Sequence, residues 1–192
     1  MIRLKQYKRC DAGKIVSWCE DEETFLMWGG DRFGNFPITA ETMNRKYFDE
    51  NGDCGDEDDF YPMTAVDGGG PVGHFIIRHP GPDALVLRFG WVIVDGQKRG
   101  RGIGREMLVL GLRYAFDIMK ADKVTIGVYE NNLPAYRCYL SAGFREVGFR
   151  EAGFAEAGES FAAVGGEERR IIELEANRDE FIRRSQISGG LK

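Results

Sequence analysis

Residues 84–129 hold the feature that most restricts the fold. The run ALVLRFGWVIVD (84–95) reads as a strand, and RGRGIG (99–104) then sets glycine at every second position. Met107, Gly111, Tyr114 with Ala115, and Ile118 recur at helical spacing before KVTIGVY (123–129) alternates as a strand again. A strand, a helix-length connection and a second strand make a crossover unit, whose two strands run parallel. The chain is therefore expected to contain one parallel strand pair.

The flanking segments predict a mixed sheet around that pair. FYPMTAV (60–66), VGHFIIR (72–78) and the run 84–95 are separated by GGGP and HPGPD turns and predict an antiparallel meander. IRLKQY (2–7) alternates like an edge strand. Asp11 is expected to cap a helix through Ile15, Val16 and Trp18, and Thr39 a second helix carrying Met43, Tyr47 and Phe48. Pro134 should open a short helix that Gly143 ends, and RRIIELEA (169–176) supplies a last strand. The units FREVG, FREAG and FAEAG (144–158) repeat with a period that fits neither helix nor strand, and predict a strand followed by an irregular loop. Segment 49–59, with seven acidic side chains among glycines, reads as a surface loop.

A chain of 192 residues that is 43% hydrophobic suffices for one core. The expected fold class is α/β (α+β), a single domain over residues 1–176, with 177–192 as a loose C-terminal tail. Cys10, Cys19, Cys54 and Cys138 form no metal-binding spacing, so they read as free thiols and no metal is expected. No secretory leader or membrane-length apolar run is seen, which predicts a cytoplasmic protein without membrane partners. A net charge of −5 argues against a nucleic-acid partner.

Glycines at the mouth of a helix suit an anion, because the first N–H groups lack intrahelical acceptors and the helix dipole favours negative charge there. Two phosphate loops fail on inspection. The GxxxxGK[ST] pattern counted from Gly96 meets Arg101 and Gly102 where Gly and Lys belong, and a dinucleotide fingerprint from Gly102 and Gly104 ends on Met107 instead of Gly.

The pattern R-x-x-G-x-G is met by Arg99, Gly102 and Gly104, directly between Val92-Ile93-Val94 and a helix. A second block, N-x-x-A-x-x-x-Y-x-x-x-G-F, is met by Asn132, Ala135, Tyr139, Gly143 and Phe144. In these two blocks the chain resembles the GCN5-related N-acetyltransferase family. The resemblance implies a central mixed, mostly antiparallel sheet of about seven strands with a splayed parallel pair and about four flanking helices. It implies acetyl-coenzyme A as co-substrate, an amine-bearing acceptor, and a monomer or homodimer. Main-chain groups of Val92, Ile93 and Val94 would pair with the pantetheine arm, and Arg99, Gly100, Arg101, Gly102, Ile103 and Gly104 would wrap the pyrophosphate. Lys98, Arg99, Arg101 and Arg105 would neutralise phosphate or form a solvated patch. Asn132 would contact the pantetheine or cap its helix. Tyr139 would protonate the departing thiolate. Cys138, its neighbour, reads as a buried thiol.

The base is less defined. Relatives carry a carboxylate on the fourth strand, where this chain has only Arg88, and the ribosomal-protein Nα-acetyltransferase branch has a glutamate where Gly127 stands. Glu20, Asp21, His74, Glu130 or a water chain are left as candidates. For the acceptor, Trp18, Phe25, Trp28, Phe33 and Phe36 would wall a pocket or pin a loop to the core, and the acids from Glu20 to Glu23 suggest a cationic amine or basic peptide. The departures also leave open a coenzyme-A-binding module without catalysis.

Overall fold

The computed structural model describes residues 1–147, 161–164 and 167–189. β1 (Arg3–Gln6) pairs at the sheet edge with β2 (Phe60–Asp67), followed by β3 (Gly70–Arg78) and β4 (Val86–Val94), all antiparallel. Between β1 and β2 lie α1 (Ala12–Val16), α2 (Glu22–Trp28) and α3 (Ala40–Phe48). The crossover consists of α4 (Ile103–Arg113), extended by a π turn over Tyr114–Ile118, and β5 (Lys123–Tyr129). Next come α5 (Leu133–Ala142), β6 (Arg145–Glu146), β7 (Phe161–Val164), β8 (Glu167–Asn177) and α6 (Arg178–Gly189). The strand order is β1-β2-β3-β4-β5-β8-β6, with β7 paired to β8.

The expected parallel pair is β4 with β5, and it is short: Val86–Phe89 pair with Lys123–Ile126 and no further. Beyond Phe89 the two strands separate. A bulge starts this divergence, because Gly90 faces Ile76 while Ile93 faces His74, so one extra β4 residue lies between them. Trp91 takes up the distortion at φ 47, in the left-handed region that a bulky side chain rarely enters. Its carbonyl accepts from Trp28 Nε1 at 2.7 Å, and its ring stacks 5.7 Å from that of Tyr47.

Helices cover both faces. On one, Met107, Leu108, Leu112 and Phe116 of the α4 segment pack with Phe75, Leu87, Phe89 and Ile126; on the other, Ile15, Phe25, Trp28 and Met43 pack with Tyr47, Phe60 and Ile76. Gly111 lies in the first layer, where a β-carbon would come within 2.7 Å of Phe75.

The meander, the Thr39 cap and the Pro134–Gly143 helix form as expected: Thr39 Oγ1 accepts from Thr42 N at 3.1 Å, and Gly143 closes α5 in the left-handed conformation. Other expectations are corrected. Among the described residues six α-helices form, where about four were expected. α2 was missed because its acidic start hid a cap: Asp21 Oδ1 accepts from Thr24 N at 2.7 Å. Asp11 does not cap α1; its carboxylate turns back to Lys8 N, at 2.9 Å, and to Lys5. The expected loose tail is helical through Gly189, with Phe181 5.4 Å from Phe116. The acidic loop is held down in part, since Lys46 Nζ bonds Asp53 and Glu50, each at 2.7 Å. Of the repeat at 144–158, Arg145–Glu146 form the expected strand, and residues 148–158 lie outside the described residues.

Candidate active site

The divergence of β4 and β5 opens two cavities that share five residues: Met27, Trp28, Val92, Asn132 and Tyr139. The larger, about 730 Å³, runs along Val92, Ile93 and Val94 to Arg99, Gly100, Gly102, Ile103 and Gly104. The smaller, about 200 Å³, lies on the far side of the junction, between Trp91, Ile126 and Arg78. An elongated molecule in the first would thus present its end to a second molecule in the other.

The glycine segment forms the mouth of α4. Gly100 and Gly102 have φ of +75 and +78, and a β-carbon at either would meet no atom within 4 Å. Both conformations favour glycine, and the space above them is open. Gly102 is the N-cap of α4 without a side-chain cap, so the first N–H groups of the helix stay available to an anion. Gly104 is bare for a different reason: a β-carbon there would lie 3.0 Å from Cys138 Sγ, so glycine permits close approach of α4 to α5.

The expected cations divide. Lys98 pairs with Asp67 at 2.7 Å, Arg99 Nε donates to Val94 O at 3.4 Å, and Arg105 Nε donates to Ser141 O at 3.0 Å, yet all three still line the larger cavity. Arg101 is exposed and lies outside the lining. Asn132 Oδ1 accepts from Ala135 N at 3.2 Å, so the residue caps α5 while facing both cavities.

Tyr139 lies on α5, 6% exposed, beside Phe144. Burial, followed by the neighbouring Cys138, raises its pKa well above the ordinary phenol value. Cys138 is half-buried, and burial raises its pKa as well, so it is not activated as a nucleophile.

The candidate bases are not brought to the smaller cavity. His74 is buried, with Nε2 2.8 Å from Tyr47 Oη, and burial lowers its pKa to about 3. Glu20 and Glu130 are exposed and line neither cavity, and Asp21 faces the larger one. The position of Gly127 is explained by Glu173 of β8, which sequence reasoning overlooked. Glu173 stands opposite Gly127 and holds Arg88 of β4 through two bonds, at 2.8 and 2.9 Å. A β-carbon on Gly127 would come within 2.6 Å of that guanidinium. The advance signal was Glu173 and Glu175 on alternate positions of the otherwise apolar run from Ile171 to Ala176.

Of the aromatic residues expected to wall a pocket, Trp28 does so, whereas Trp18, Phe25 and Phe33 are core. The acids expected to attract a cation do not face the smaller cavity: Asp21 and Glu23 line the larger one. Among the described residues no cluster of three or more His, Cys, Asp or Glu could hold a metal, and no helix is long and apolar enough to cross a membrane.

A strand pair splayed over a glycine-bordered helix mouth, with a second cavity facing it, makes up the candidate site. The model of the acetyltransferase (GNAT) domain matches residues 2–145, and the chain belongs to that family of N-acetyltransferases. It is 21% identical over 159 residues to an N-acetyltransferase 9-like protein of Caenorhabditis elegans, covering 75% of each chain. Among solved structures it is similar to spermidine N-acetyltransferase of Vibrio cholerae in complex with CoA and spermine, with a TM-score of 0.73 and 17% identity over 94% of this chain and 98% of that one. It is also similar to AAC(6')-Ib in complex with ribostamycin and coenzyme A, with a TM-score of 0.71 and 17% identity over 95% and 96% of the two chains.

Proposed function

We propose that the protein transfers the acetyl group of acetyl-CoA to a primary amine by direct attack within a ternary complex. The observation that carries this reading is the meeting of the two cavities at Val92, Asn132 and Tyr139. The residues fit the co-substrate. Gly100, Gly102 and the first N–H groups of α4 receive the pyrophosphate, with Arg99 and Arg105 nearby to balance its charge. The β4 edge from Val92 to Val94 has no strand partner on the β5 side and pairs with the pantetheine amides. Two similar solved structures hold coenzyme A, which supports acetyl-CoA as the co-substrate.

The acceptor nitrogen forms a bond to the thioester carbonyl carbon as the carbon–sulfur bond breaks. Tyr139 gives its phenolic proton to the departing sulfur and regains one from solvent. Its raised pKa keeps that proton in place through the working pH range. Among the described residues no Asp, Glu or His lines the smaller cavity, and the proton on the amine leaves through water.

Calorimetric titration with acetyl-CoA, paired with coenzyme-A release from a panel of amines, tests the reading. Tyr139→Phe should retain acetyl-CoA affinity while lowering kcat by about 100-fold, the lower end of general acid catalysis. An unchanged kcat would remove Tyr139 from the chemistry, and a wild type that does not bind acetyl-CoA would overturn the proposal.

A further inference from the structure

The smaller cavity has a charge of its own. Among the described residues every charged side chain that lines it is an arginine: Arg32, Arg78 and Arg88. Arg32 is exposed, and Arg88 is neutralised by Glu173. Arg78 differs from both. It closes β3, opposite Phe60 on one side and Arg88 on the other, and is partly buried. Its guanidinium forms no hydrogen bond or ion pair with any described residue. The acid whose charge reaches it, Asp53, forms its own ion pair with Lys46 at 2.7 Å.

A guanidinium stays protonated at neutral pH, so it cannot escape the cost of burial by losing its proton. Burial, then the neighbouring Arg88, already lower its pKa from the ordinary value. A cation in this position lacks a counter-ion, and its planar fork matches a carboxylate.

We infer that the acceptor is an amine that also carries a carboxylate, and that Arg78, lining the smaller cavity without a partner among the described residues, recognises that carboxylate. The inference rests on the proposed acetyl transfer and names its substrate class. It also reverses the cationic acceptor expected from the acids at Glu20 to Glu23. Arg88, the strand partner of Arg78, lies four residues before Val92, and the bulge at Trp91 shortens the span below the roughly 13 Å that a regular strand would give at 3.3 Å per residue. The arginine side chain spans part of that distance, so the amine and the carboxylate are separated by a short extended spacer. A δ-amino acid or a peptide with an acidic side chain near its N-terminus meets this requirement.

Isosteric pairs provide the test: the amide-capped tripeptides Gly-Gly-Asp and Gly-Gly-Asn, and δ-aminovalerate with its amide. Binding to the CoA-loaded protein is followed by tryptophan fluorescence, since Trp28 and Trp91 line the cavity, and acetylation by coenzyme-A release. In the wild type the acid of each pair should bind and react at least about 10-fold better than its amide, as expected for a charge-assisted pair. Arg78→Gln should abolish the difference and Arg78→Lys should keep part of it, with acetyl-CoA affinity reporting that each variant folds. Whichever acid reacts faster identifies the source as a small amino acid or a peptide. Equal binding of acid and amide, a preference that survives in Arg78→Gln, or stronger binding of spermine than of either acid would overturn the inference. If acid and amide are distinguished in binding but no acetyl group is transferred, the proposed function fails while the carboxylate subsite stands.

Discussion

Gly104 sets how closely α4 can approach α5, and the effect of a single methyl group there can be worked out. A β-carbon at this position would lie 3.0 Å from Cys138 Sγ and 3.6 Å from Val94 Cγ2. The first contact is several tenths of an ångström too close, whereas the second is ordinary packing. Alanine is favoured over glycine in a helix by up to about 1 kcal/mol, while forcing a methyl into a packed site costs about 1–3 kcal/mol. Gly104→Ala should therefore destabilise by about 0–2 kcal/mol. In a Cys138→Ala background the offending sulfur is gone and only the helical preference is left. The two substitutions should then couple favourably by about 1–2 kcal/mol, measured as the difference between urea-derived stabilities in a double-mutant cycle. Additivity within about 0.5 kcal/mol would refute the packing explanation. It would return Gly104 to the same role as Gly100 and Gly102, whose bareness faces open space.

Gly127→Ala should lower stability by about 1–3 kcal/mol, because its methyl would push on the Arg88 guanidinium, on Ile171 and on Glu173 together; an unchanged urea midpoint would show that the Arg88–Glu173 pair yields freely. His74 gives a pH dependence with a definite sign. The unfolded chain takes up a proton near 6.5, but the folded one only near 3, so stability is lost as pH falls below about 6.5. At about pH 5 the loss should reach about 2 kcal/mol relative to neutral pH, at about 1.4 kcal/mol per pH unit. His74→Gln should remove that part of the slope, and an identical slope in urea titrations of both proteins would refute the assignment.

The local sequence carried a large part of this architecture because the signals concerned are local. Alternation from 84 to 95, glycines from 100 to 104 and helical spacing after Met107 lie within one crossover, and only a parallel pair satisfies them. The second block placed Tyr139 and Asn132 on one short helix, where both face the cavities. Where the expectation failed, the choice lay between partners that a sequence pattern does not rank. Asp11 had equal access to the helix after it and to Lys5 and Lys8 before it, and strand β1 brought the latter close. The acids of residues 20–23 pointed to a cationic substrate, yet the sheet turned arginines toward the smaller cavity instead.

The sequence by itself determined the antiparallel meander, the parallel crossover and the glycine-lined helix mouth, because each depends on residues within a few turns of one another. The tertiary structure alone decided the bulge at Trp91, the pairing of Arg88 with Glu173 across 85 positions, and the absence of a partner for Arg78 among the described residues. Those features depend on strand register and on which side chains are left without a counter-charge when the sheet closes, and neither is encoded in any short stretch of the chain.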